Sequence, residues 1–570
     1  MTYDLTMPSL TRKTIRGKSY YYLRECQRVG GKPKIVWTHY LGSTERLIER
    51  LARPEPEQVS LAEFGASAAA FDIAQVLGVV ETIDRHVPKR GAQGPSVGQY
   101  LLAAALNRCV APRSKTRLAD SHRSTVLRRL LPMTPAQLTS QRFWDNMDRV
   151  SAEQIVAIER DLSAAAVSRF GLDLRCLLFD ATNFFTFVDS FNTRSKLAQR
   201  GHSKEGRANL RILGLALLVT SDGDVPLFHH TYAGNQHDAV TFRSVVDELA
   251  QRSQLLANGA CDITLVFDKG NNAEDNLEAV EKSPFHFVGS LVPTHHEDLL
   301  AVPRSQMRRL DKNALPSVWA FRTRKKIFGV ERTVLCTFNR PLFVAQTKTL
   351  RREIRKRSRQ LDQRERALER SRTKPRGKPP TVAGTKKRVE AILTGRHMKQ
   401  LFHAEVSSGP DKLPILSWRF NDEAWEKLQQ TLLGKTILFT DRDGWTDEQI
   451  VLAYRSQSHV EAAFRRMKDP RFLTFRPTFH WTDQKLRVHA FYCVLALTIL
   501  SLLRRKLAQK GINLSIAKMT ERLADIREVT LLYPAPPHTA APFARTVLSS
   551  MDEQQSALFA ALELDRYLAK

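Results

Sequence analysis

RCLLFDATNFFTF, residues Arg175 to Phe187, is an apolar and aromatic run interrupted by one carboxylate, Asp180. Cys, Leu, Leu and Phe in succession fit a strand buried on both faces, and the charge falls where the apolar run stops. LRILGLALLVTSDG (Leu210–Gly223), VPLFHHTYAG (Val225–Gly234), CDITLVFDKG (Cys261–Gly270) and FHFVGSLV (Phe285–Val292) repeat the texture. Between or after them, Asp238 to Leu256 and Ala273 to Lys282 have helical spacing. The order β, β, β, α, β, α, β describes three antiparallel strands followed by αβαβ. The expected fold is α/β, a mixed sheet flanked by helices.

Asp180 ends CLLF and Asp268 ends ITLVF, so both carboxylates fall at the C-terminal ends of buried strands, where open sheets place functional groups. A third stands in VLAYRSQSHVEAAFRRMKDP (Val451–Pro470), which reads as one amphipathic helix. At about 100° per residue, Val460, Phe464 and Met467 make an apolar stripe. Tyr454, Glu461 and Lys468 are seven apart and line its border, where a carboxylate is only partly solvated. The plain alternative is a surface helix whose Glu461 pairs with Arg465 at i+4, worth about 0.2–0.5 kcal/mol. Two unit charges 4 Å apart repel by about 4 kcal/mol at an effective dielectric near 20, so three carboxylates gather only if protonated or metal-bound. Hard oxygen donors suit Mg²⁺ or Mn²⁺, and a pair of such ions supports phosphoryl transfer.

Composition points the same way. The 570 residues carry 88 Lys+Arg against 59 Asp+Glu, a formal charge of +29 and a pI near 10.1, so the expected partner is a polyanion, with nucleic acid first. A membrane is the competing polyanion. The longest apolar run, Ala490–Leu503, is shorter than the roughly 20 residues that span a bilayer and reads as a buried core helix. The start, MTYDLTMPSL, lacks the layout of a signal peptide, and six scattered cysteines without a CxxC pair fit reduced thiols rather than zinc or disulfides. The expectation is a cytoplasmic protein with no membrane partner.

The chain divides by texture. Residues 1–50 hold KSYYYLREC and PKIVWTHYLG around QRVGGK, a β-hairpin signal; 51–170 are helical and a candidate DNA-binding region. Residues 171–300 are the first part of the core, and 445–510 the second part with the Glu461 helix. Between them, 301–444 lose the rhythm and form a basic insertion: Arg351 to Glu390 has 16 Lys+Arg and 5 Asp+Glu, so 16 − 5 = +11. Leu350, Ile354, Leu361 and Leu368 stripe a helix there, and Lys386 to Leu393 returns as a second one, a helical hairpin. Residues 511–570 read as a C-terminal helical region.

The aromatic N-terminal hairpin, LNRCVAPRSKTRLAD, FDATNFFTF, GLALLVTSDGDVPLFHHTYAGNQHDAVTF, LVFDKGNN, YRSQSHVEAAFRRMKDP and RPTFHWTDQKLRVHAFYCVLAL occur in this order. Together they resemble an insertion-sequence transposase of the DDE class, in the group with a Tyr-Arg-Glu-Lys signature on the Glu helix. The resemblance implies a ribonuclease-H-like core interrupted by an insertion domain. Asp180, Asp268 and Glu461 would then be the catalytic and metal-holding carboxylates, with two Mg²⁺ or substituting Mn²⁺. The signature Tyr and Lys fall on Tyr454 and Lys468, which in relatives hold phosphates at the element end, and Arg455 and Arg465 join them as DNA-binding candidates. The signature Arg is replaced by Gln457; a neutral amide cannot hold phosphate as a guanidinium does, and Arg455 is the nearby substitute. The implied partner is double-stranded DNA, both the terminal inverted repeats and the target, with a homodimer pairing the ends. The implied setting is a bacterial cytoplasm, at the nucleoid when bound. A structure-specific two-metal nuclease or resolvase, and a non-enzymatic DNA-binding derivative of a transposase, are the alternatives.

Three further features carry a plain reading beside a functional one. His229, His230 and His237 suit packing better than metal binding. Trp445 could stack on an unpaired base, but packing is the stronger reading. Arg194 to Arg207 is either a phosphate-binding edge or a solvated loop.

Overall fold

The computed structural model of the chain describes every residue except 1–7, 30–31, 52–54, 90, 92, 190, 202–205, 207–208, 237–241, 244, 249–261, 273, 375–376, 477, 535–542 and 570. Its strands are β1 (Ser9–Ile15), β2 (Lys18–Val29), β3 (Lys32–Ser43), β4 (Gln58–Glu63), β5 (Cys176–Phe185), β6 (Ile212–Thr220), β7 (Pro226–Ala233), β8 (Thr264–Phe267), β9 (His286–Leu291), β10 (Arg308–Arg309), β11 (Val318–Ile327), β12 (Val330–Asn339), β13 (Phe402–Ser408), β14 (Pro414–Phe420), β15 (Lys435–Thr440), β16 (Arg527–Tyr533) and β17 (Phe543–Leu548).

The five apolar runs become β5 to β9, at one end of a nine-stranded sheet ordered β10-β11-β12-β15-β9-β8-β5-β6-β7. β5, β6 and β7 are antiparallel neighbours, while β8 and β9 run parallel to β5, the mixed sheet that the order of runs requires. All nine residues of β6 are buried, because helices cover the sheet on both faces. Of the expected helices, Glu274–Glu281 is present, while Asp238–Leu256 lies largely outside the described residues.

The 301–444 stretch is not wholly separate from this sheet. β10, β11, β12 and β15 extend it, β15 pairing antiparallel with both β9 and β12. What leaves the sheet is a 34-residue helix, Arg340–Thr373, the helix Val382–Ile392 and the β13–β14 ribbon. Leu361 and Leu368 of the expected apolar stripe are buried, with Leu350 and Ile354 packed beside them, so the basic helix is seated on one side and solvated on the other.

β1, β2 and β3 form an antiparallel sheet with Val29 opposite Lys32; the Gly30-Gly31 link lies outside the described residues. Helices Gly65–Leu77, Val97–Val110 and Ala152–Phe170 pack around Asp483–Gln509, a 27-residue helix that contains the longest apolar run. This helix is long and apolar enough to cross a membrane, but 89% of its most apolar window is buried inside the fold, as expected of a core helix. Residues 511–570, expected to be helical, also supply two strands: β16 pairs with β17 and with β4, tying the C-terminal stretch to the first helical region.

Candidate active site

β5 and β8 pair in parallel with Cys176, Leu177 and Leu178 opposite Thr264, Leu265 and Val266. Two residues further along each strand, that register sets Asp180 level with Asp268 on one face of the sheet, with Cα atoms roughly 4.8 Å apart. β8 ends at Phe267 and the chain turns into a single 3₁₀ turn, so Asp268 stands at the open end of a buried strand. Its Oδ1 accepts hydrogen bonds from Ser290 Oγ (2.9 Å) and Tyr454 Oη (3.2 Å). Ser290 is itself buried and fixed, since Lys269 N donates to its Oγ at 3.2 Å and Asn272 Nδ2 to its carbonyl at 2.6 Å. Asp180 Oδ1 accepts from Ala181 N at 2.7 Å.

The stretch read as one helix is two: Asp447–Arg455 and Gln457–Lys468, broken at Ser456. Ser456 Oγ turns back to the Ala453 carbonyl (2.5 Å), the local bond by which serine bends or interrupts helices. Gln457, Glu461 and Lys468 then share one face of the second helix. Gln457 Nε2 donates to the Phe179 carbonyl (2.7 Å), and Lys468 Nζ to Thr182 Oγ1 (2.9 Å) while lying 5.4 Å from the Phe184 ring. These two anchors straddle Asp180 on β5, so Glu461, between them in the helix, faces the level of the aspartates.

Glu461 is exposed and forms no ion pair among the described residues, so the simple pair with Arg465 is not made. Tyr454 is aimed at the carboxylates rather than outward. Burial raises its phenol well above the ordinary range, and the charge of Asp268, with a smaller effect from Glu461, raises it further. Lys468 likewise points into the sheet. Arg455 is half-buried and Arg465 exposed, neither with an acidic partner among the described residues; burial depresses the Arg455 guanidinium. Among the described residues, no three His, Cys, Asp or Glu side chains are gathered to hold a metal ion. The aspartates therefore offer paired oxygen donors, and Glu461 faces them without closing the set.

Gln457, at the departing signature position, is 6% exposed, and its Oε1 has no partner among the described residues while its amide nitrogen clamps β5. The residue thus positions the helix beside Asp180 and has no access to phosphate. Gln457→Arg is expected to lower stability by about 2–4 kcal/mol, through burial of an unpaired charge, without improving DNA affinity. Thermal melting and a duplex-binding titration check this; tighter binding with an unchanged melting temperature would refute the clamp.

The Glu461 helix has a second anchor that sequence reading missed. Asp224, in the turn before β7 and 2% exposed at its side chain, bonds to His459 and Arg466 of this helix and to Arg504 of the long core helix. Arg504 Nη2 lies at 2.8 Å and Arg466 Nη1 at 3.4 Å. Burial alone would raise the Asp224 carboxyl, but the His459 hydrogen bond and the three positive partners outweigh it and hold it below the usual range. The signal was SDGD, an acid placed directly before VPLF, the apolar start of a buried strand; for Ser290, it was one hydroxyl inside FVGSLV.

The other sequence candidates settle as follows. His229 is buried with Nδ1 at 2.5 Å from Glu159 Oε1, a packing role; His230 lies on the same strand, and His237 is outside the described residues. Trp445 is half-buried under the Arg442 guanidinium, 5.0 Å from its ring. The Arg194–Arg207 loop is only partly described. Its start is pinned by the Asp483 carboxylate, which accepts from Ser195 Oγ (2.7 Å) and the amides of Lys196 (3.1 Å) and Leu197 (3.0 Å), leaving Arg194 and Lys196 exposed.

A family model described as "Transposase DDE domain" matches residues 173–499, more than half of the chain. No curated protein matches. Among solved structures, the chain is similar to a piggyBac transposase synaptic complex with hairpin DNA, at 10% identity, 82% coverage of each chain and a TM-score of 0.35.

Proposed function

The chain belongs to the transposase DDE domain family, and from that premise we propose that it cuts and joins DNA at the ends of its own mobile element. The observation that carries the assignment of residues is the β5–β8 register, which sets Asp180 and Asp268 side by side under a helix that presents Glu461. The family uses a divalent metal, and the oxygen-only donor set with two adjacent charges fits hard cations such as Mg²⁺, which would offset a repulsion that water alone leaves standing. Asp180 and Asp268 would hold the ions, with Glu461 completing the set. When bound, such ions activate an attacking oxygen and stabilise the leaving one.

The chain's own residues supply the rest. Ser290 and Tyr454 fix one oxygen of Asp268 and leave the other directed away from them. Gln457 and Lys468 hold the helix in register with β5. Arg455 and Arg465 are the cations placed to meet phosphate at the element end. A first strand cut frees a 3′-hydroxyl, which then attacks another phosphodiester; pairing two ends requires two copies of the protein, and the partner is duplex DNA carrying the terminal repeats.

The test is incubation of purified protein with Mg²⁺ and a duplex bearing the element's flanking repeats, compared with Glu461→Gln. Nicked and strand-transfer products from the wild type, and neither from the variant, are expected. Cleavage without any joined product would assign a nuclease instead, and equal products from the variant would remove Glu461 from the site.

A further inference from the structure

The basic helix Arg340–Thr373 starts from the side of the sheet where the aspartates lie. β12 runs antiparallel to β15, which runs antiparallel to β9, so β12 shares the direction of β9, β8 and β5. Leu335 pairs with Leu438 and Leu438 with Ser290, the residue bonded to Asp268. Asn339, which caps the helix, is thus four residues past the level of the aspartates, roughly 13 Å, and three strands across from Asp268, roughly 14 Å.

Along this helix Lys348, Arg351, Arg352, Arg355, Lys356 and Arg359 fall within one face about 140° wide, opposite the buried Leu361 and Leu368. All six are exposed, and none forms an ion pair or side-chain hydrogen bond among the described residues. Glu353 is the one acid between Val344 and Gln360, and it lies on another face, paired with Arg357 at 3.4 Å. The six cations line a groove of about 1100 Å³ whose other polar walls include the neutral Gln360, Gln363 and Gln429. Like charges at i, i+4 spacing destabilise a helix by a few tenths of a kcal/mol per pair, and no acid offsets them here. An anion that enters the groove relieves that repulsion.

We infer that this groove holds the phosphate backbone of duplex DNA on a helix that leaves the same end of the sheet as the aspartates, without reading sequence. Lysine and arginine cations with neutral amides between them fit phosphate oxygens, and six exposed cations held by no partner among the described residues suit backbone contact more than the fixed bidentate pairing that reads a base. The choice of duplex DNA as the polyanion rests on the function proposed above.

The experiment compares wild type with K348A/R352A/R355A/R359A, four exposed sites where alanine preserves helix propensity. Metal-free titrations use two duplexes of about 30 bp, one with the terminal repeat and one unrelated, from 50 to 200 mM KCl. At about 0.9 in log–log slope per phosphate neutralised, the variant's slope should be shallower by roughly 3.6, so the wild type loses roughly 150-fold more affinity across that range. The change should be equal for both duplexes, and R352K/R355K/R359K should retain the wild-type slope. Identical slopes for wild type and the alanine variant overturn the groove, as does a change confined to the repeat-bearing duplex. A wild type that shows the steep slope but joins no DNA in Mg²⁺ supports the groove and removes the transposase reading, so the two failures are distinct.

Discussion

Asp180→Asn and Asp268→Asn, each alone, should lower metal-dependent strand cleavage by about 10³-fold or more, equivalent to about 4 kcal/mol or more of transition-state stabilisation. The amide keeps the volume and the β5–β8 register but removes the charge that draws a hard cation. Stability should change little, because the amide is isosteric and its oxygen still accepts from Ala181 N at position 180, and from Ser290 and Tyr454 at position 268. The measurements are single-turnover cleavage in Mg²⁺ and thermal melting without it. A variant that cuts at the wild-type rate is not missing a metal ligand, and one that melts far below wild type is missing a structural residue.

The second large effect concerns Asp224→Ala. Removing this carboxylate leaves Arg466 and Arg504 facing one another and His459 without its acceptor, all beneath the Glu461 helix. Breaking a buried ion pair from one side costs about 3–5 kcal/mol, and here two guanidinium groups lose their shared partner. The loss should appear as a drop in denaturation midpoint together with reduced cleavage. Asp224→Asn, which keeps an acceptor oxygen for His459, should recover part of the stability. An Asp224→Ala protein with wild-type melting would show that the helix is held by its apolar side, Val460, Phe464 and Met467, without the charge cluster.

The sheet was legible because its strands are buried on both faces and so are written as apolar runs. Asp268 does follow the last residue of β8, but Asp180, expected at a strand end, lies in the middle of β5, which continues through Ala181–Phe185 because those residues go on pairing with β6. The break at Ser456 was not, since the apolar spacing of Val451 to Met467 continues through it and only the Ser456–Ala453 bond and the Gln457–Phe179 bond interrupt the helix. Gln457 looked like a lost phosphate contact because a signature gives residue types without burial. The β4–β16 pairing joins segments more than 450 residues apart, which no local pattern encodes. The place of β10, β11, β12 and β15 in the sheet was hidden for a related reason: β11, with VWAFRTRKKI, alternates like a half-exposed edge strand and resembles a separate module.

That β4–β16 pairing sets a schedule for synthesis. Residues 58–63 leave the ribosome about 470 residues before their partner strand, which at 5–20 residues per second is an interval on the order of 25–90 s. Throughout it, β4 is an open strand edge able to pair with other chains. Completion of the first helical region therefore depends on nearly the last part of the chain to be made, and a message or polypeptide cut short before Arg527 would yield a protein with an unfinished sheet and a tendency to aggregate.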